Sequence, residues 1–128
     1  MKKLFLTALT ALALAGSADA CSARTGYVIN GMLPTPAGLT QECGALYRAF
    51  VGSNDFKWAE LYRVNTSSAG NIGKALESRL RSKGFILLQT KEIKNGKMFG
   101  YGNPSTSKIV VLQIVFMSNS LYLTVTGN

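Results

Sequence analysis

The residues of this chain that could carry out chemistry are scattered carboxylates, several serines and two cysteines. The 128 residues include no histidine and only six Asp and Glu. A serine or cysteine nucleophile needs an activating base, which is most often histidine, and zinc sites are built from Cys, His and carboxylates. Since no pair of the carboxylates has the spacing of an acid–base dyad, we expect no catalytic residue, no metal site and no cofactor. The acidic residues after position 20 are Glu42, Asp55, Glu60, Glu77 and Glu92.

The side chains best suited to contact a partner lie in a short stretch of alternating aromatic and charged residues at 56–64. This alternation is typical of a strand with one apolar face. Glu60 interrupts that face, which predicts an edge position in the sheet. An edge strand can accept a strand from another protein, or its charges can serve only to prevent aggregation. The candidate partner-binding residues are Lys57, Trp58, Glu60, Tyr62 and Arg63, with the basic residues Arg79 and Arg81.

The charge of the chain restricts the partners that we expect. The net charge is +8, and loss of Lys2, Lys3 and Asp19 with residues 1–20 would lower it to +7. Positive charge favours nucleic acids, anionic lipids or acidic proteins as partners. Because residues 1–20 predict export of the protein, we expect no nucleic acid as a partner. Because no catalytic constellation is present, we expect no small-molecule substrate. Arg79 and Arg81 belong to a small basic cluster, which is more typical of a solvated helix surface than of a binding patch.

Residues 1–20 have the three-part organisation of a secretory signal peptide. Two lysines precede an uninterrupted apolar run at 4–15, and the small-residue sequence Ala-Asp-Ala follows at 18–20. The apolar run is too short to cross the hydrocarbon core of a membrane, which needs about 20 residues. We therefore expect this segment to be removed and the remaining protein to be exported to the periplasm.

Two alternatives remain open for Cys21, which directly follows the signal. A cysteine in this place receives the lipid anchor of a bacterial lipoprotein, although Ala18 stands where leucine is usual. Ordinary cleavage after Ala20 would instead leave Cys21 able to form a disulfide with Cys43 in an oxidising compartment. The two fates exclude each other because an acylated thioether sulfur cannot also form a disulfide.

Residues 37–128 are predicted to form a single α+β domain, which follows an extended N-terminal lead-in at 21–36. Apolar residues recur at helical spacing over 37–51 and over 71–83, and Gly84 is expected to end the second helix. We expect two helices packed on a small, mostly antiparallel sheet in the order α-β-α-β-β-β-β. The predicted strands are 56–64, 85–90, 98–101, 109–117 and 121–126.

The strands after the second helix have distinct expected positions. The apolar run at 85–90 predicts a well-buried strand, and the run at 109–117 predicts a central strand. Alternation at 121–126 predicts a half-buried final strand. Asn95–Gly96 predicts a tight hairpin turn, because both residues accept positive φ angles, and Ser118–Asn119 predicts a second turn.

Residues 71–85 resemble the helix of the TrbH family of conjugal-transfer lipoproteins. They read Asn-Ile-Gly-Lys-Ala-Leu-Glu-Ser-Arg-Leu-Arg-Ser-Lys-Gly-Phe. The family shows an aromatic or apolar residue, Gly, a polar residue and Ala-Leu, followed by a helix that closes on Gly-Tyr or Gly-Phe before an apolar strand. The segments at 61–66 and 109–116 also look like its flanking strands, so the resemblance extends over about 21–127.

Membership of that family would imply a noncatalytic accessory or adapter of a conjugative type IV secretion apparatus. Such a protein would carry a lipid anchor at Cys21, with the outer membrane as the candidate membrane, and would contact protein components of a secretion channel or another envelope complex in the periplasm. The alternative is a soluble periplasmic binding or inhibitor protein, held by a Cys21–Cys43 disulfide and directed by its positive charge to an anionic target.

Overall fold

The computed structural model of the protein describes residues 25–52 and 56–128. The predictions for the signal peptide and for Cys21 concern residues outside these ranges. No helix in the described ranges is both long and apolar enough to span a membrane. The described elements are β1 Tyr27–Val28, β2 Leu33–Pro34, β3 Leu39–Gln41, α1 Ala45–Gly52, β4 Trp58–Val64, a 3₁₀ turn at Thr66–Ser68, α2 Ala69–Ser82, β5 Ile86–Ile93, β6 Gly96–Asn103, β7 Lys108–Met117 and β8 Ser120–Gly127.

Six of these strands form one antiparallel sheet in the order β3-β4-β8-β7-β6-β5, and β1 and β2 form a separate hairpin. The last four strands follow one another as a meander, and β8 then pairs with β4. The predicted α+β class with two helices and a mostly antiparallel sheet is confirmed. The predicted order of elements is incomplete, because it lacks the three short strands that precede α1.

The β1–β2 hairpin lies within the predicted lead-in. Its turn is formed by Asn30 and Gly31, whose φ angles are 54° and 79°. The backbone N–H of Met32 donates to the Ile29 carbonyl oxygen at 3.0 Å. Asn-Gly is the usual sequence of such a turn, but strands of two residues are too short for an alternating pattern to be visible in the sequence.

The first helix is shorter than predicted, because its expected N-terminal part forms β3. Leu39 pairs with Val64 and Gln41 pairs with Tyr62, so the backbone groups of this segment bond to β4 rather than to a helical turn. Leu39 and Cys43 have helical spacing in the sequence, but Leu39 lies in β3 and Cys43 lies in the segment between β3 and α1. Only the part of the prediction from Ala45 onward is correct.

The second helix is confirmed, and its ends follow from local sequence. The Asn65 side chain accepts a hydrogen bond from the Ser67 backbone N–H at 3.1 Å at the start of the 3₁₀ turn that precedes α2. Gly84 adopts a φ of 93° directly after the helix. Its N–H donates to the Arg81 carbonyl oxygen, and the Phe85 N–H donates to the Leu80 carbonyl oxygen, both at 3.0 Å. These two bonds form a Schellman motif.

The helices cover opposite faces of the sheet. Helix α2 packs Ile72, Leu76 and Leu80 on one face, while α1 places Tyr47 on the other face against Leu61 and Tyr122. Strand β8 is central and contributes to both cores, because its side chains alternate between the faces. The predicted half-buried final strand is therefore wrong. The sheet residues on the α2 side include Tyr62, Val64, Tyr101, Val110, Leu112, Leu123 and Val125.

The predicted burial of residues 85–90 is wrong for most of the segment. Phe85 is buried, but it precedes the strand, and Ile86 and Leu88 are 48% and 61% exposed. Strand β5 is exposed because it is the last strand of the sheet. The central position predicted for 109–117 is confirmed, since β7 lies between β8 and β6.

Both predicted hairpin turns are present, with a shift of one residue in the first. The loop between β5 and β6 is Lys94–Asn95, and Gly96 already pairs with Ile93. Glycine is needed at position 96 because the backbone of β7 lies very close to it, and a Cβ there would overlap the Ile114 carbonyl oxygen. The turn itself does not require it. In the second turn Ser118–Asn119 has φ angles of 50° and 65°, as expected for a tight hairpin.

Candidate functional site

Strand β4 holds most of the predicted partner-binding residues, but it is not an edge strand. It pairs with β8 along its length and with β3 at its C-terminal end. The Glu42 N–H also donates to the Leu61 carbonyl oxygen at 2.9 Å, and the Tyr47 hydroxyl donates to the Ala59 carbonyl oxygen at 3.3 Å. The carbonyl groups of Ala59 and Leu61 on the side away from β8 therefore have partners within the chain.

Glu60 is an internal structural residue. Its side chain is 3% exposed, and its two carboxylate oxygens accept hydrogen bonds from the backbone N–H groups of Ile29 and Asn30 at 2.8 and 2.7 Å. The Tyr62 hydroxyl donates to the same carboxylate at 3.1 Å. Glu60 therefore holds the turn of the β1–β2 hairpin against the sheet, and its interruption of the apolar pattern does not mark an edge.

Burial is the largest influence on the pKa values of Glu60 and Tyr62. It raises the pKa of Glu60 above its usual value, although the hydrogen bonds from Asn30, Ile29 and Tyr62 act in the opposite direction. Burial also raises the pKa of Tyr62, and the negative charge of Glu60 adds to that effect. The Tyr62 phenol consequently stays protonated and remains a donor to Glu60.

The aromatic residues of β4 belong to the core on the α2 side. Tyr62 is buried, and half-buried Trp58 packs against the same cluster. The Trp58 Nε1–H donates to the Asn128 backbone oxygen at 3.4 Å. Any side chain at Gly127 would overlap the Trp58 ring. These contacts explain the positions of both aromatics without a partner.

The basic candidates are spread over the surface and three of them bind groups of their own chain. Arg63 lies on the α1 side, where its guanidinium is 5.7 Å from the centroid of the Tyr122 ring. Arg79 donates to the Pro34 carbonyl oxygen at 2.8 Å. Arg81 forms an i,i+4 ion pair with Glu77 of α2 at 3.1 Å. Lys57 is exposed beside the start of β4. The structure therefore does not bring the predicted residues together in one patch.

Cys43 lies between β3 and α1 and is half-buried. It packs against the cluster formed by Tyr47, Leu61 and Tyr122. Since Cys21 is outside the described ranges, the lipid anchor and the Cys21–Cys43 disulfide both remain predictions. Within residues 25–52 and 56–128, no group of three or more His, Cys, Asp or Glu side chains could hold a metal ion.

The outer side of β5, which we call the β5 edge (Ile86–Ile93), is the first surface suited to a partner. Among the described strands, none pairs with β5 on the side away from β6. In a hairpin with a two-residue loop the flanking residues bond to each other, and bonded pairs then alternate with unbonded ones. Ile93 and Gly96 flank this loop. Thr90 and Glu92 therefore direct their backbone N–H and C=O groups away from β6.

The second surface is a groove between α1 and the sheet, which we call the α1 groove. It has a volume of about 580 Å³ and is largely apolar. Leu46 and Phe116, two of the exposed large apolar residues of the chain, line it. The lining residues are Leu46, Ala49 and Phe50 of α1, Leu61 of β4, Ile93 of β5, Lys94 and Asn95 of the β5–β6 turn, Gln113, Val115, Phe116 and Met117 of β7, and Thr124 of β8.

Neither surface is apparent from the residue patterns alone. The apolar run that opens β5 has the pattern of a buried strand, and the only indication of exposure is the charged second half of the segment, with Lys91 and Glu92. The α1 groove combines residues from α1, four strands and a turn that are far apart in the sequence. No local spacing connects them.

Comparison with known proteins finds no relative. No protein-family model, no curated protein and no solved structure matches this chain. The resemblance of residues 71–85 to the TrbH family therefore stays a prediction.

Proposed function

We propose that this protein is a noncatalytic adapter that binds an extended segment of another protein at the β5 edge. The observation that carries this proposal is an eight-residue terminal strand whose outward backbone groups are unpaired within the described residues. Addition of a strand to an exposed sheet edge is a recurring mode of peptide recognition, in which backbone hydrogen bonds supply affinity and side chains supply specificity.

The protection of the β5 edge is incomplete. A register shift between Leu87 and Gln89 marks a bulge, and Lys91 and Glu92 place charges on the strand. Bulges and charges are common devices against unwanted edge pairing. However, the bulge leaves Leu88 61% exposed, and the segment from Gln89 to Ile93 keeps a regular register with β6. This regular part can accept a partner strand.

The sequence of β5 favours a different protein over a second copy. Its first half is apolar at 86–88, whereas its second half carries Lys91 and Glu92 and leads into Lys94. Two β5 strands paired antiparallel about a twofold axis would place the apolar half of each opposite the charged half of the other. Because cross-strand neighbours determine the stability of a pairing, we favour a foreign segment with its apolar residues opposite 86–88.

The proposals for the compartment and for the partner of this adapter are based on the sequence. The signal-like residues 1–20 support export to the periplasm, and the resemblance of α2 to the TrbH family supports a component of a conjugative type IV secretion channel as the partner. Cys21 would then anchor the protein to a membrane, for which the outer membrane is the candidate. This proposal does not involve Glu60 or Tyr62, which hold the fold.

Proline substitution of Thr90 tests the β5 edge. Thr90→Pro removes an outward N–H and leaves the bonds between β5 and β6 in place, because proline is tolerated on edge strands where its nitrogen faces solvent. We expect a pull-down of secretion-channel components from envelope extracts to fall about tenfold with this variant, the effect of losing about 1.4 kcal/mol of binding free energy.

Thr90→Ala is the matched control, since it shortens the same side chain and keeps the N–H. We expect it to recover the same partners as the unmodified protein. Urea unfolding of both variants verifies that the fold is intact. Equal recovery with a folded Thr90→Pro variant would contradict the proposal.

The alternative of a soluble periplasmic binding or inhibitor protein is favoured by one observation. Cys43 is half-buried next to the Tyr47 cluster, a position in which a disulfide to Cys21 would fasten the preceding segment beside α1. The two functions differ at Cys21, which is acylated in the anchored adapter and oxidised in the soluble protein.

A further inference from the structure

We propose that the α1 groove binds a small anionic amphiphile with one apolar chain and a carboxylate head. This is a second binding site, separate from the β5 edge and independent of the proposed adapter function. Its volume of about 580 Å³ lies within the range of ligand pockets, which are usually apolar clefts with a few polar groups that orient the ligand.

The apolar part of the groove is built from both sides. Helix α1 contributes Leu46 and Phe50, and β7 contributes Val115 and Met117. Leu46 is 38% exposed, and Val115 and Met117 are half-buried. An aliphatic chain lying between helix and sheet would remove these surfaces from water, which is the main favourable contribution to binding of an apolar ligand.

The polar part of the groove points to a ligand with a hydrogen-bonding head. Gln113 and Thr124 are direct cross-strand partners and both line the groove. Thr124 is only 4% exposed, yet its hydroxyl takes part in no side-chain hydrogen bond among the described residues. Buried hydroxyl groups are normally hydrogen-bonded. By contrast, the nearby Tyr47 hydroxyl donates to the Ala59 carbonyl oxygen at 3.3 Å.

The sign of the head group follows from the lining charges. Among the described residues that line the groove, Lys94 is the only ionisable one, and Asn95 lies beside it. An ammonium group attracts an anion, and the net charge of +8 adds a long-range field of the same sign. The same net charge disfavours a second copy of the chain as the occupant. A carboxylate on an aliphatic chain satisfies Lys94, the polar pair and the apolar walls together.

Binding of laurate and of dodecanol to the purified full-length protein tests this inference by isothermal titration calorimetry, with both probes as dispersed monomers. We expect laurate to bind saturably at one site and dodecanol to bind more weakly. Lys94→Gln should weaken laurate binding about two- to fivefold, as for an exposed ion pair, and should leave dodecanol binding unchanged. Lys108→Gln removes an exposed lysine outside the groove and should change neither affinity.

Two further variants examine the groove itself. Thr124→Val removes the unpaired hydroxyl at constant shape and should weaken laurate binding about tenfold, as expected for a hydrogen bond to a charged group. Thr126→Val is its control, because Thr126 is equally buried on the same face of β8 but does not line the groove. Ala49→Trp places a large side chain in the groove and should abolish binding.

Several results would overturn the inference. These are the absence of saturable laurate binding, and laurate binding that Lys94→Gln and Thr124→Val leave unchanged. Light scattering that shows a dimer dissociated by Ala49→Trp would assign the groove to a second copy instead. If Ala49→Trp fails to fold, as judged by circular dichroism, the Lys94 and Thr124 variants decide the question, since neither adds volume to the core.

Discussion

At the scale of single residues, Glu60 shows how a side chain can break a sequence pattern for a structural reason. A carboxylate on an apolar strand face resembles a surface residue, yet Glu60 accepts two backbone N–H groups of the β1–β2 turn and the Tyr62 hydroxyl. Ile29 and Asn30 both have positive φ angles, and their successive N–H groups point toward the same carboxylate, an arrangement that binds anions. Glu60 therefore joins the hairpin to the sheet.

Replacement of Glu60 tests this role. Glu60→Leu keeps a side chain of similar size but leaves the buried Ile29 N–H without an acceptor. We expect the free energy of unfolding in urea to fall by about 1–3 kcal/mol, the usual result of leaving one buried donor unpaired. Glu92→Gln is the control, because Glu92 is an exposed carboxylate of β5, and we expect it to change stability by less than about 0.5 kcal/mol. An equally small effect of Glu60→Leu would contradict the role.

The contribution of Glu60 to the free energy of unfolding depends on pH. Burial raises the pKa of Glu60 above 4.5, its value without burial, so the folded protein binds this proton more tightly than the unfolded chain. The stability that Glu60 contributes through this proton is complete below pH 4.5 and is lost as the pH rises through the raised pKa. We therefore expect the stability of the unmodified protein relative to Glu60→Leu to decrease from below pH 4.5 toward neutral pH.

At the scale of elements, helix α2 is specified locally and its neighbours are not. Asn65 caps the preceding 3₁₀ turn, Ile72, Leu76 and Leu80 form its apolar stripe, and Gly84 ends it. Each signal lies within the segment itself. Strand β5 carries an equally clear apolar run, but its exposure depends on a position at the end of the sheet that no residue of the run encodes.

Two glycines of the α2 region allow a matched test of helix termination. Gly84 has a φ of 93°, and a Cβ there would lie 3.2 Å from Nδ2 of Asn103, which bonds to the Lys83 carbonyl oxygen. We expect Gly84→Ala to lower the free energy of unfolding in urea by about 1–2 kcal/mol, because alanine is strained at this φ.

Gly73→Ala serves as the comparison within the same helix. A Cβ at Gly73 meets no atom within 4 Å, and alanine favours the helix by roughly 0.5–1 kcal/mol over glycine. We therefore expect Gly73→Ala to raise stability. A loss of stability in both variants, or in neither, would show that the left-handed conformation of Gly84 is not what ends α2.

At the scale of the whole molecule, we expect local stability to be greatest in the middle of the sheet. Strand β8 pairs with β4 and β7 and is covered on one face by α2 and partly on the other by α1. Strand β5 has one neighbour and exposed side chains on both faces. The proposed partner site thus lies at the least protected end, as is common for surfaces that must bind another chain.

Amide hydrogen exchange tests the expected decrease in local stability from β8 to β5. We expect the slowest exchange at Leu121–Val125, because opening these bonds requires disruption of both cores, and the fastest strand exchange at Thr90 and Glu92. The amides of Lys91 and Ile93, which bond to β6 in the alternation, should exchange more slowly than those two. Uniform protection along β5 would indicate that its outward groups already have a partner.

The sequence by itself determined the elements whose signals are local. The α+β class, helix α2 with its Gly84 end, the central strand β7 and the tight turns of the meander all follow from spacing, capping and turn residues, since these interactions join residues only a few positions apart. The short strands β1 to β3 have too few residues for a recognisable period.

Tertiary structure alone decided which surfaces are free. Whether a strand is central or at the edge depends on the order of strands, which places β4 and β8 inside and β5 outside. Glu60 is buried because the β1–β2 hairpin, about thirty residues earlier in the chain, folds over it. The α1 groove likewise joins α1 to distant strands. Contacts of this kind depend on the path of the whole chain, and no local pattern of residue types encodes that path.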